Sequence, residues 1–131
     1  MKRGGILNRD VCALIASLGH TDLICIADAG LPIPPHVTRI DLALVCGVPT
    51  FLETLQAVLA DLVVEHAAVA REMGGANPTA YQAVRAALAG IVLEEIPHAE
   101  LKARTAGARA VIRTGECTPY ANILLKSGVA F

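Results

Sequence analysis

The chain has 131 residues and a formal net charge of -1, with 54 % hydrophobic residues and only 3 % aromatic ones. That length suits one domain, residues 1–131, able to bury a core without metal or disulfide staples. Lys and Arg are scattered at near-neutral balance, which leaves no electrostatic footprint for nucleic acid or an anionic membrane. Apolar runs are broken by Glu53, Gln56 and Asp61 well short of the ~20 residues a spanning helix needs. The surplus of Ala, Val, Leu and Ile therefore points to a homo-oligomer with apolar interfaces, not to a membrane protein.

The opening "MKRGGILNRD" has no apolar core of signal-peptide length. Asn8 caps a helix whose apolar positions are Val11, Cys12, Leu14, Ile15 and Leu18, and Gly19 closes it. Residues 23–27, "LICIA", read as a buried strand, and "RIDLAL", residues 39–44, as a second. Thr50 and Glu53 form a capping-box pattern before a helix running to about residue 62. "VVEHAAVA", residues 63–70, is a third strand, and the glycine-rich "EMGGANP", residues 72–78, a mobile loop. Asn77 and Pro78 open a helix that ends at Gly90. Then come a strand at 91–96, a short helix "HAELKARTAG", a strand "RAVIRTG" and a docked apolar tail, "ANILLKSGVAF".

Strands alternating with helices predict an α/β domain with a largely parallel central sheet flanked by helices. The layering is Rossmann-like, yet no G-x-G-x-x-G turn or P-loop is present, so no nucleotide is expected. The four cysteines, Cys12, Cys25, Cys46 and Cys117, form no C-x-x-C pair. They read as small buried hydrophobes of a reducing compartment, with no metal site and no disulfide.

Four places carry residues suited to acid-base or sugar chemistry. His20 stands in the turn before "LICIA", where a plain turn residue is the simpler reading. Asp28 follows that strand directly, at the carboxyl end where α/β sheets bind ligands, although an Asx turn into Gly30 would also place it there. His98 follows the strand at 91–96 and begins a helix, whose N-terminus favours a neutral imidazole able to exchange a proton near pH 7. His36 reads as a surface residue and His66 as a satisfied core or interface histidine. The segment "RTGECTPYANILL" offers Tyr120 and Asn122, a hydroxyl, an amide and a ring face suited to a small polyhydroxylated ligand.

The strings "GILN", "LGHTD", "IADAGLPIP", "RIDLAL", "FLETL" and "AVIRTGECTPYANILLKSGVAF" together resemble the D-ribose pyranase family, whose close relatives are the fucose mutarotases. "GLPIP" after the aspartate is similar to the ribose branch. The resemblance implies an isomerase that interconverts the pyranose and furanose forms of D-ribose without metal, nucleotide or redox cofactor. It also implies a cytoplasmic homo-oligomer, a ring of stacked subunits such as a decamer, with sites at subunit interfaces. Carried over by motif, His20 matches the family's proton donor. Asp28, His98, Tyr120, Ala121 and Asn122 match substrate-binding positions. The family usually has a hydrophobic or aromatic residue where this chain has Cys117. An L-fucose-type mutarotase, or a non-catalytic sugar-binding accessory of a ribose transport system, would use the same residues. An extended segment 22–27 would hold His20 and Asp28 roughly 20 Å or more apart, at about 3.3 Å per residue. The expectation is a composite site, with His20 of one subunit facing residues of another.

Overall fold

The computed structural model describes residues 1–131. One six-stranded sheet carries the chain, with strands in the order β2-β5-β1-β6-β3-β4. These are β1 Leu23–Ala27, β2 Thr38–Asp41, β3 Val64–Ala70, β4 Val92–Ile96, β5 Ala110–Arg113 and β6 Ile123–Ser127. The helices are α1 Arg9–Ser17, α2 Phe51–Asp61, α3 Glu72–Ala76, α4 Pro78–Ala87 and α5 His98–Arg104, the last continued by a 3₁₀ turn, Thr105–Gly107. No helix is long and apolar enough to cross a membrane.

Strand β1 pairs in parallel with β5, β5 with β2 and β3 with β4. Strand β6 instead runs antiparallel to both β1 and β3. A parallel neighbour needs a crossover of a dozen or more residues, usually a helix. Residues 114–122, between β5 and β6, contain no helix, so the chain turns back and β6 enters reversed. The central strand β1 explains its own apolar run. Ile24 and Ile26 belong to a large core on one face, with Val11, Phe51, Leu55, Val58 and Val84, while Cys25 and Ala27 belong to a smaller core on the other, with Leu31, Leu101 and Val111.

Local signals form as the sequence predicts. The Asn8 side chain accepts hydrogen bonds from the backbone N–H of Asp10 and Val11. Thr50 and Glu53 make both halves of their capping box. Asn77 caps α4, with Pro78 as its first residue. Helix α4 stops at Ala87, earlier than predicted, and the chain turns through Gly90 at φ 86. Gly19 follows the α1 cap without adopting a left-handed φ. Leu18 is extended and its N–H closes on the Ile15 carbonyl.

Two expectations are corrected. Residues 72–76 are helix α3 and not a loop. Gly74 and Gly75 give this segment poor intrinsic propensity, but Met73 is fully buried and anchors it, and the Asn77 N–H closes on the Met73 carbonyl. The cysteines are not four separate buried hydrophobes. Cys46 and Cys117, both exposed, stand side by side with their Cα atoms 5.8 Å apart, while Cys12 is half-buried and Cys25 buried. The loops carrying the pair press together at Gly115, where a Cβ would overlap the carbonyls of Val45 and Val48.

Candidate active site

Register determines which side chains meet. Ile26 pairs with Ile123, Val69 with Ile123, and Ala70 with Ile96. The carboxyl ends of β1, β3 and β4 and the amino end of β6 therefore lie along one edge of the sheet. Asp28, Asn122 and His98 are the residues at or just beyond those ends.

Asp28 and Asn122 form a reciprocal pair. The Asp28 N–H donates to Asn122 Oδ1 at 2.9 Å, and Asn122 Nδ2 donates to Asp28 Oδ2 at 2.8 Å. The other carboxylate oxygen accepts the Gly30 N–H at 2.9 Å, so the Asx turn is present as well. Asn122 and Ala121 are buried at 1 % and 0 % exposure, so the pair is fixed by packing as well as by hydrogen bonds. Tyr120, beside them, has a left-handed φ of 57 and packs between both cores. Its ring stands edge-on to the His98 imidazole, with centroids 5.0 Å apart. The His98 N–H, at the start of α5, donates to both carboxylate oxygens of Glu72 at 3.1 and 3.0 Å. His98 Nδ1 is buried and has no hydrogen-bond partner in the chain. Asp28, His98, Tyr120, Ala121 and Asn122 thus come together as one group. Burial, with the nearby Asp28 charge, pushes the Cys25 thiol pKa up, so the cysteine beneath this group is no nucleophile.

His20 does not join them. It lies at the other end of β1, where its Nε2 contacts Glu65 Oε2 at 2.8 Å. Glu65 in turn holds Lys126 Nζ at 3.0 Å. Hydrogen bonds from Lys126 and then His20 hold the Glu65 carboxyl below the usual carboxylate range. An ionised carboxylate only accepts, so the His20 Nε2 in this contact carries the hydrogen and Nδ1 is left for another partner. His20 and Asp28 share no hydrogen bond or ion pair, and the length of β1 separates them. Glu65, Lys126 and Glu72 escaped the sequence reading. Only the cross-strand pairing of His66 with Lys126 brings the Glu65 segment to Lys126, and pairing has no local signature. His66 contacts Glu94 at 3.5 Å, and the exposed His36 bonds the Ala106 carbonyl, so neither reaches the site.

The paired carboxylates predict acid sensitivity. Glu65 is held low by Lys126 and His20, Glu72 by its own N–H and that of His98, and Glu94 by Arg104. A folded-state pKa below the unfolded value, about 4.3 for Glu, gives stability that is present above that value and lost as pH falls through the folded one. The thermal midpoint should accordingly hold from neutrality to about pH 5 and fall below it. Glu94→Gln should lower the midpoint at pH 7 and close its gap to wild type in acid. A gap that persists unchanged at the lowest folded pH would contradict this.

These features define an α/β domain with a group of polar residues at one edge of its sheet. The chain belongs to the RbsD / FucU transport protein family, which matches residues 1–130. It is 56 % identical over 131 residues to the D-ribose pyranase of Laribacter hongkongensis, covering 100 % of each chain. It is 53 % identical to the D-ribose pyranase of Geobacillus kaustophilus, covering 100 % of this chain and 96 % of that one. Among solved structures, Bacillus subtilis RbsD complexed with D-ribose superposes with a TM-score of 0.97 at 44 % identity, covering 100 % of both chains. The fucose mutarotase of Streptococcus pneumoniae, in complex with L-fucose, superposes at 0.82 with 24 % identity over 95 % of each chain, a likeness of fold.

Proposed function

We propose that this chain is an isomerase that interconverts the pyranose and furanose forms of D-ribose, with residues 1–131 as one sugar-mutarotase domain. The observation that carries the reading is the group at this sheet edge, the Asp28–Asn122 pair beside Tyr120 and the His98 ring it contacts, with His98 Nδ1 buried and unpartnered. A buried polar atom without a partner costs about 1–3 kcal/mol, and a sugar hydroxyl would satisfy it. Opening the pyranose breaks the bond between the anomeric carbon and the ring oxygen. An acid protonates that oxygen while a base removes the anomeric hydroxyl proton, giving the open-chain aldehyde. Closure by a different hydroxyl reverses both transfers and changes the ring size. Both Asp28 oxygens already accept hydrogen bonds, from Gly30 and Asn122, so Asp28 is cast as the sugar's anchor and His98 as the base.

The acid is His20, through Nδ1, supplied by a second copy of the chain, because its own copy holds it at the opposite end of β1. Leu44, Val45, Val48, Val92 and Phe131 are exposed large hydrophobics, which favours a homo-oligomer such as the ring of stacked subunits. The setting proposed is cytoplasmic, where a reducing environment would keep Cys46 and Cys117 as adjacent thiols. NMR saturation-transfer or exchange spectroscopy on D-ribose tests the reading, with L-fucose as the comparison sugar. Faster pyranose–furanose exchange with catalytic amounts of protein is the expected result. No acceleration of ribose exchange would refute it, and acceleration of L-fucose exchange alone would move the chain to the fucose branch.

A further inference from the structure

The geometry assigns Asn77 as a positioning residue for Tyr120, an inference that rests on the sugar-site reading above. Asn77 is 8 % exposed and joins two elements that are distant in sequence. Its Oδ1 accepts the Ala80 N–H at 3.3 Å and caps α4. Its Nδ2 donates to Thr118 Oγ1 at 2.8 Å and to the Pro119 carbonyl at 3.0 Å. The orientation of the amide is forced. A carbonyl only accepts, and Thr118 Oγ1 already donates to Glu116 Oε1 at 2.9 Å, so an amide oxygen facing both would meet no donor.

The tether matters because it ends at the peptide group that leads into Tyr120. Tyr120 is not glycine, yet it holds a φ of 57, a region that persists only where the surroundings over-determine it. After Tyr120 the turn is fixed by the Asn122 N–H, which donates to the Tyr120 carbonyl at 2.8 Å, and by the Asn122–Asp28 pair. Before Tyr120, the Asn77 amide holds the Pro119 carbonyl, and Glu116 connects Thr118 to the start of α2 by accepting the Phe51 N–H at 3.1 Å. Glu116 acts on Thr118, one residue further back, so Asn77 alone bonds the peptide group that enters Tyr120. Without it the turn populates other conformations, and apparent affinity falls by the fraction still competent. Bound sugar can draw the turn back, so the rate at saturation changes less than the binding constant.

Asn77→Ser separates this role from capping, because serine caps a helix about as well as asparagine but lacks the amide donor. The expected result is a folded protein that binds D-ribose about tenfold more weakly, with saturated exchange within about threefold of wild type. The cross-relaxation between the Tyr120 and His98 rings should weaken in the same variant, a readout that stands whether or not D-ribose is the ligand. If Asn77→Ser does not fold, Asn77→Asp, which keeps a good helix cap and likewise lacks the amide donor to the Pro119 carbonyl, carries both measurements with loss in the same direction. Wild-type affinity together with undiminished Tyr120–His98 contact in the folded variant overturns the assignment. A wild-type protein that binds no D-ribose fails the functional reading instead, and the ring contact then decides the positioning role alone.

Discussion

His20→Ala should bind D-ribose and fail to accelerate its ring exchange. Positioned acid-base groups typically contribute ~100- to 10,000-fold, and exchange in the variant should fall by a factor in that range. Binding should survive because the Asp28–Asn122 pair and the Tyr120–His98 contact lie at the other end of the sheet from His20. The imidazole is 53 % exposed, so its removal leaves no cavity and should cost little stability. Titration calorimetry alongside NMR exchange reads both quantities. Retained exchange would remove His20 from the chemistry and favour a sugar-binding accessory role. Mixing His20→Ala with a variant lacking the other half, such as Asp28→Ala, adds a second reading. If sites are composite, mixed assemblies regain some intact sites and part of the exchange rate.

The second large effect falls on Asn122. Asn122→Ala removes both bonds of the reciprocal pair at a position that is 1 % exposed. The Asp28 N–H loses its acceptor, and one carboxylate oxygen loses its donor. Leaving such groups unpaired costs about 1–3 kcal/mol, or a midpoint lower by roughly 3 °C or more per kcal/mol in a chain of this size. D-ribose affinity should fall below detection in calorimetry, because Asp28 loses its orientation as well as its neighbour. Wild-type affinity in the folded variant would show that the pair serves the turn alone. The two substitutions thus separate cleanly, one removing rate with binding retained, the other removing binding and some stability.

How much of the molecule was legible in the sequence depends on the range of the forces involved. Strand β1, the Asn8 cap, the Thr50–Glu53 box and the Asn77–Pro78 start are set within a few residues, and they form as read. Helix α3 was hidden because Gly74 and Gly75 argue against it locally, while the burial of Met73 that stabilises it is tertiary. The Cys46–Cys117 pair was hidden because the two are 71 residues apart and their loops meet only in the folded chain. Asp28 and His98 were visible at strand ends, and the family resemblance supplied the weight for His20. The partners Glu65, Lys126 and Glu72 depend on register and on packing between elements, neither of which a run of residues encodes by itself.

Strand β6 has one further consequence. Its reversed direction places Asn122 just before one end and Lys126 near the other, so a single short segment serves both the Asp28–Asn122 pair and the His20–Glu65 network. It works as a gauge block whose length is fixed by hydrogen bonds to β1 on one side and β3 on the other. Neither group can drift without dragging the other along. Sequence change in β6 is thereby confined to swaps that keep its length, since one inserted or deleted residue would misplace the Asn122 end, the Lys126 end or both at once.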